Sequence, residues 1–325
     1  MRLFAHIQLL PVLENGEETT LIGGQAVMEG VMMRSPHGYC VAVRKPNGEL
    51  VTEALPLPRM SERYPVFKWP VVRGLGTLGQ AMWLGMKALR FSAGHAIDDG
   101  KTDSDDSKTA TKDVSSWVMG LNVLISVAFF IVMYKFVPLY IATMLGKVVP
   151  AVGGRFAINM VDGTLRIAIF LGFLYLMSRM KEIHRVFEYH GAEHRVVFNF
   201  ESGQDVTVDN AQRFVTWHPR CGTSFLVVVM VLSMAVYAFL PFDGFLAKFL
   251  ARIALLPLIV GLSYELIRFA AKRQRGLMAL LTRPGLWLQR VTTQPPSNEQ
   301  TEVAILALDR AMELEKEHGG ILVIA

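Results

Sequence analysis

The sequence predicts an α-helical integral membrane protein with about four transmembrane helices and a small cytoplasmic α+β lobe. Of its 325 residues, 52% are hydrophobic. The apolar residues gather into runs of about 18–20 residues, the length at which a helix crosses a hydrocarbon core of about 30 Å. The polar segments between these runs carry strand and helix patterns, which predict the soluble lobe.

Four transmembrane helices are predicted, at residues 117–134, 158–180, 221–240 and 246–267. The first and third contain no charged residue. The second contains Asp162 and Arg166, and the fourth contains Lys248, Arg252 and Glu265. Because these charged residues lie toward the ends of their runs, we expect them to reach the membrane surface.

Basic residues near the ends of these helices predict their orientation. Fifteen Lys and Arg residues fall on one side and six on the other. The richer side is cytoplasmic by the positive-inside rule, which places both termini and residues 181–220 in the cytoplasm of a bacterial inner membrane. Attraction to anionic lipid then accounts for the net charge of +5, so we expect the lipid bilayer and no nucleic acid as a partner.

The remaining segments carry their own signals. Asn47-Gly48 lies between alternating residues and predicts a β-hairpin. Residues 71–97 predict an interfacial or re-entrant helix, with a fifth span as the alternative, and residues 98–116 predict a flexible acidic linker. Ser297 and Gln300 match a capping box that opens a helix to about Glu317, followed by a short strand at 321–325.

These signals divide the chain into seven segments. They are a β-rich region at 1–70, the interfacial helix at 71–97, the linker at 98–116, two transmembrane helices at 117–180, a His/Cys loop at 181–220, two transmembrane helices at 221–271 and a cytoplasmic region at 272–325. The N-terminal, central and C-terminal cytoplasmic segments are each too short to bury a core alone, so we expect them to form one lobe.

The candidate chemistry begins with His190-Gly191-Ala192-Glu193-His194. On a continuous helix the two histidines share a face, and His-x-x-Glu-His is a reversed zincin pattern in which the glutamate activates water. Gly191 weakens the helical interpretation, because it could end the preceding helix, and residues 195–200 alternate like a strand. The alternative is a structural cluster of hydrogen-bonded side chains.

A second group, His218-Pro219-Arg220-Cys221, follows 24 residues later. The spacing of His218 and Cys221 suits a tight turn around one ion, and a helix N-terminus favours the Cys221 thiolate. We expect His190, His194, His218 and Cys221 to converge on zinc or another divalent transition metal, with Glu193 as the catalytic base. The alternatives are a metal-free Cys–His nucleophile, or a small buried Cys221 beside a helix capped by Thr223 or Ser224.

Four motifs in order resemble the YqhQ family of bacterial multi-pass membrane proteins. They are residues 23–34, the His190–His194 run, residues 218–225 and the stretch from Thr282 to Thr293. The resemblance implies a multi-pass membrane fold and a metal-dependent enzyme, a description that depends on the same His and Cys residues.

Two classes of function follow from the sequence. The first is a membrane metal-dependent hydrolase at the cytoplasmic face. The second is a non-catalytic scaffold or assembly factor that docks a protein partner there, with the His/Cys cluster holding loops together. A closed four-ligand site favours the scaffold, whereas three ligands with Glu193 beside them favour the hydrolase. Glu29 lies in an apolar run and needs a partner, for which Arg34 or the metal cluster is expected.

Overall fold

The computed structural model describes residues 22–58, 64–96, 116–218, 221–242, 244–272 and 277–318. It is mostly helical, with one small sheet. The predicted linker at 98–116 lies outside the described residues except for Ser116, which begins a helix, and the predicted strand at 321–325 lies wholly outside them.

A four-stranded antiparallel sheet forms the N-terminal part. Its strands lie in chain order: β1 (Gly23–Val27), β2 (Gly30–Arg34), β3 (Gly38–Arg44) and β4 (Leu50–Pro56). The predicted hairpin is confirmed. Strands β3 and β4 pair antiparallel, and Gly48, at φ 88°, lies in the turn that connects them. Glu29 also has a positive φ, of 53°, and lies in the turn between β1 and β2.

Both faces of the sheet are covered by helices. Val31 and Met33 of β2 face one core, in which they meet Ala304 and Leu308 of the C-terminal helix. The side chains at the alternate strand positions face a second core, which contains Leu84 and Ala88 from the helix that follows the sheet. The two buried faces explain why β2 and β3 are apolar at successive positions and do not alternate.

Helix α1 (Val72–Ala96) covers this second face of the sheet. Its first turn is tied to a later helix by an ion pair between Arg73 and Glu265. Residues 71–97 were expected to form an interfacial helix, or alternatively a fifth span. The helix packs on the sheet, and its outer side exposes Met82, Trp83 and Met86.

Two described helices are long and apolar enough to span a membrane. The first runs through α2 (Ser116–Ile131), a π-helical turn (Val132–Phe136) and α3 (Val137–Val148). Its candidate span is Leu124–Val148, which extends well beyond residue 134, the predicted end. The second is α4 (Arg155–Ser178), which matches the prediction at 158–180 closely.

The third and fourth predicted spans are only partly supported. Helix α7 (Gly222–Ala238) has 17 residues, so its length of about 25 Å is less than a hydrocarbon core of about 30 Å. Helices α8 (Phe245–Ala254) and α9 (Leu256–Lys272) meet at a bend of 47° and count as a third span only if taken together. The described residues therefore contain two to three candidate spans, and four are not confirmed.

Four further α-helices are described. They are α5 (Lys181–Glu201), the short α6 (Val208–Ala211), α10 (Leu277–Thr292) and α11 (Asn298–His318). The capping box that opens α11 is confirmed: the Ser297 amide donates to Gln300 Oε1 at 2.8 Å, and the Gln300 amide donates to Ser297 Oγ at 3.2 Å.

One hydrophobic core joins the sheet, α5, α6 and α11. It includes Cys40 of the sheet, Val196 of α5, Ala211 of α6 and Val303 of α11. The three soluble segments that were too short to fold alone thus pack together, and α5 lies among them. The predicted loop at 181–220 is therefore half occupied by a long helix that belongs to this core.

Candidate metal centre

Helix α5 carries His190 and His194 on one face. It continues through Gly191 to Glu201, which excludes the alternatives of a helix end at this glycine and a strand at 195–200. The two imidazole rings lie 4.4 Å apart between centroids. Gly191 is needed for packing rather than for a turn, because a Cβ there would collide with the backbone carbonyl of Gln294. The Gln294 amide in turn donates to the Phe187 carbonyl at 2.9 Å.

Cys221 reaches the same place from α7. It is the N-cap residue of that helix, and its Sγ lies 3.3 Å from His190 Nε2. One ligand atom each from His190, His194 and Cys221 lies within 4.8 Å of the others, which is close enough to hold one metal ion. The site thus combines two nitrogen donors and one sulfur donor from two helices far apart in sequence.

Backbone carbonyls orient both imidazoles. His190 Nδ1 lies 2.8 Å from the Thr292 carbonyl oxygen, and His194 Nδ1 contacts the Thr216 carbonyl oxygen. Because a carbonyl oxygen can only accept, each Nδ1 must carry a proton, and Nε2 is the ring nitrogen available to bind a metal. This arrangement, in which the outer nitrogen donates to a carbonyl, is the one that metal-binding histidines usually have.

Glu193 lies beside the three ligands. Its carboxylate Oε2 is 3.9 Å from His190 Nε2, and the backbone amide of Gly24 donates to it. Neither nearby arginine takes it as a partner, since Arg185 pairs with Glu29 and Arg195 binds Gln212. Burial raises the pKa of the Glu193 carboxyl above its usual range.

His218 is close to the cluster but is directed elsewhere. Its ring centroid lies 5.7 Å from that of His194, whereas its Nε2 faces Glu201 Oε2 at 3.4 Å. The Gln289 side chain accepts from the His218 amide at 2.7 Å. His218 therefore lies outside the three-residue group, contrary to the four-ligand expectation. Burial lowers the pKa of His194 and of His218 to about 4, so both are neutral at physiological pH.

The expected partner of Glu29 also needs correction. The Glu29 carboxylate pairs with Arg185 and accepts from Tyr189 Oη at 3.3 Å, whereas Arg34 donates to Gln80 at 2.9 Å. Glu29 stands in the β1–β2 turn rather than inside a strand, so its side chain can reach over to α5. It ties the sheet to the helix that carries the two histidines.

A second polar cluster lies among the apolar helices, where sequence reasoning expected snorkelling side chains. Asp162 and Arg166 of α4 are 1% and 2% exposed, and Arg252 of α8 is 1% exposed. Lys135 and Tyr237 complete the group. The i,i+4 spacing of Asp162 and Arg166 could have shown that they pair on one helix face. The contribution of Arg252 depends on how α8 is rotated, which sequence does not reveal.

Replacing Gly191 by alanine is expected to destabilise the site by about 1–3 kcal/mol, because the added methyl group forces α5 away from the Gln294 carbonyl. The matched control is Gly79→Ala in α1, where a Cβ meets nothing within 4 Å and the alanine should stabilise the helix by up to about 1 kcal/mol. Thermal unfolding of both purified variants provides the comparison. Equal melting temperatures would show that the α5–Gln294 contact is not tight.

Comparisons with known proteins agree with the motifs. A family model described as "Protein of unknown function (DUF1385)" matches residues 69–314, a range that includes all the ligands of the candidate site. "Uncharacterized protein YqhQ" of Bacillus subtilis (strain 168) is 33% identical over 297 residues, which are 90% of this chain and 92% of that relative. No solved structure matches. The resemblance to YqhQ is thus confirmed, and the chain belongs to the DUF1385 family.

Proposed function

We propose that this protein is a metal-dependent hydrolase of the bacterial inner membrane, with its site at the cytoplasmic face. The observation that supports it best is the juxtaposition of a compact His190–His194–Cys221 group with the buried carboxylate of Glu193. Three protein ligands leave one position of a tetrahedral zinc ion for water or substrate, which is the pattern of catalytic rather than structural zinc.

The residues present fit a divalent transition metal such as zinc. Two imidazole nitrogens and a thiolate sulfur are ligands that zinc prefers. Both histidines have their outer nitrogens engaged by carbonyls, and burial keeps His194 neutral, which is the protonation state that binds metal. Because the Cys221 side chain is only partly buried, the group can be reached from one side.

A divalent metal bound there supplies Lewis acidity toward a water or carbonyl oxygen. The protein's own contribution is proton transfer. Burial raises the pKa of the Glu193 carboxyl, which makes its carboxylate a stronger proton acceptor; as a general base it would accept a proton from water and later return it to the leaving group. The Gly24 amide holds this carboxylate in place while it does so.

The membrane location rests on two observations. Two to three described helices are apolar and long enough to cross a bilayer. Basic residues are enriched on the side of the chain that carries the His/Cys group, which favours the cytoplasmic face and cytoplasmic termini.

A second candidate function is a non-catalytic scaffold that docks a protein partner at the cytoplasmic face. It is favoured by the way the cluster joins distant segments, since His190 contacts Thr292 at the end of α10 and His194 contacts Thr216 before α7. In that case a bound metal would serve only to hold these segments together.

Metal analysis of the purified full-length protein tests the metal site. About one equivalent of zinc or a similar metal per chain is expected, and the His190→Ala variant should lose nearly all of it. The matched control is His184→Ala on the same helix, whose side chain is half exposed and lies beside Glu188. Equal metal content in the His190→Ala and His184→Ala variants would contradict metal binding at this group.

The Glu193→Gln variant separates the two functions. If the site is catalytic, this variant keeps its metal but hydrolyses quenched casein or a p-nitrophenyl ester at least about 100 times more slowly than the metal-loaded wild type. If the site is a scaffold, neither protein hydrolyses these probes, and removing the metal with a chelator lowers the melting temperature sharply.

A further inference from the structure

Charged side chains from three helices meet at the end of α7 remote from the metal centre. Lys135 is 5% exposed, and Asp162, Arg166 and Arg252 are still more deeply buried. They surround Tyr237, which stands 16 residues after Cys221 along the chain and therefore about 24 Å from it along the helix. This cluster is separate from the proposed metal site.

Tyr237 is the centre of the cluster. The guanidinium carbons of Arg166 and Arg252 each lie 5.1 Å from its ring centroid, and Lys135 Nζ lies 5.4 Å from it. The Tyr237 hydroxyl donates to the Arg252 carbonyl at 3.0 Å, which anchors the ring against α8. Three cations thus face one aromatic ring in a region of low dielectric constant.

The charges in this cluster do not balance. Asp162 is the one carboxylate that either guanidinium contacts among the described residues, and both use its Oδ2. Guanidinium groups stay protonated inside proteins. Among the described residues, the one carboxylate offsets only one of the two guanidinium charges, and an uncompensated buried charge is costly.

The hydrogen bonding is incomplete in the same place. Nε and Nη1 of Arg166, and Nε of Arg252, are buried without a hydrogen-bond partner among the described residues. One acceptor, Asp162 Oδ1, is in the same situation. Among the described residues, unpaired donors therefore outnumber unpaired acceptors, which favours an additional acceptor with negative charge.

We propose that this cluster binds a phosphate oxyanion, carried by a phospholipid headgroup or free in solution. Phosphate oxygens match the forked donors of two guanidiniums, and the negative charge offsets the excess positive charge. Arg166 and Arg252 hold the phosphate, Lys135 adds a third cation, and Asp162 spaces the two guanidiniums. The site is distinct from the hydrolase centre and does not depend on it.

Binding to the full-length protein in detergent tests the proposal. The probes are sodium phosphate, dihexanoyl phosphatidylglycerol and dihexanoylglycerol, which lacks phosphate. Affinity and melting temperature are measured for the wild type, for Arg166→Gln and for Arg179→Gln, whose arginine is exposed at the other end of α4. Comparing variants removes the general stabilisation that phosphate salts give to folded proteins.

The Arg166→Gln variant should bind the phosphate-bearing probe at least about 10-fold more weakly than the wild type, whereas Arg179→Gln should bind it equally well. Binding of phosphatidylglycerol but not free phosphate identifies a lipid headgroup, and binding of both identifies a site open to free oxyanions. Dihexanoylglycerol should not bind.

Two further variants test the proposal if Arg166→Gln does not fold. Arg166→Lys keeps the positive charge but loses the forked pair of guanidinium donors, so it should weaken phosphate binding. Asp162→Asn removes the carboxylate that competes with phosphate, so it should strengthen phosphate binding. The proposal is overturned if the wild type binds neither phosphate-bearing probe, or if the Arg166 variants bind like Arg179→Gln.

Discussion

Replacing Asp162 by asparagine in phosphate-free buffer is expected to lower the free energy of unfolding by about 3–5 kcal/mol. The side chain is 1% exposed and is shared by Arg166 and Arg252. Asparagine keeps the size but removes the charge, so two guanidiniums remain buried with no counter-charge from the described residues. Chemical unfolding of the protein in detergent provides the measurement.

The control for this prediction is Asp205→Asn, which changes an exposed carboxylate in the turn after α5 and should leave stability nearly unchanged. If both variants unfold at the same denaturant concentration, the buried ion-pair cluster contributes nothing to stability. Restoration of the Asp162→Asn variant by added phosphate would link this result to the oxyanion site.

Cys221 is expected to react with iodoacetamide at least about 100 times faster than Cys40 in the native protein at pH 8. Cys40 is 0% exposed, and burial raises the pKa of its thiol to about 12, so only about one thiol in 10⁴ is ionised at that pH. Labelling of Cys40 should rise with pH but stay slow until the protein unfolds. Cys221 is partly exposed.

Mass spectrometry of tryptic peptides measures both rates in one sample. Labelling in denaturant, where both thiols should react alike, is the control. Added zinc should slow the labelling of Cys221 and leave that of Cys40 unchanged, because only Cys221 belongs to the proposed ligand group. Rapid labelling of Cys40 in the native protein would contradict the described core of the sheet. If added zinc protects neither thiol, the proposed metal site is contradicted, but the described core of the sheet is not.

Local features of this protein were predictable because they depend on neighbouring residues. The Asn47-Gly48 turn and the Ser297–Gln300 capping box each satisfy their hydrogen bonds within a few residues. The pairing of His190 with His194 follows in the same way from helical spacing. These features need no knowledge of the rest of the fold.

Features set by distant contacts were not predictable. Gly191 was a possible helix end by intrinsic propensity, yet its missing side chain makes room for the Gln294 carbonyl. His218 had suitable spacing to join the ligands, but Glu201 takes its Nε2. The charges in the apolar helices were expected to reach water, and instead they neutralise one another in part around Tyr237.

The C-terminal helix α11, which covers one face of the N-terminal sheet, has a consequence for biosynthesis. Val303 and Leu308 reach Val31 and Met33 across more than two-thirds of the chain. At about 5–20 residues per second, the ribosome finishes this helix roughly 10–50 s after the sheet. During that interval one apolar face of the sheet stays uncovered. The nascent sheet therefore needs protection from aggregation until translation ends.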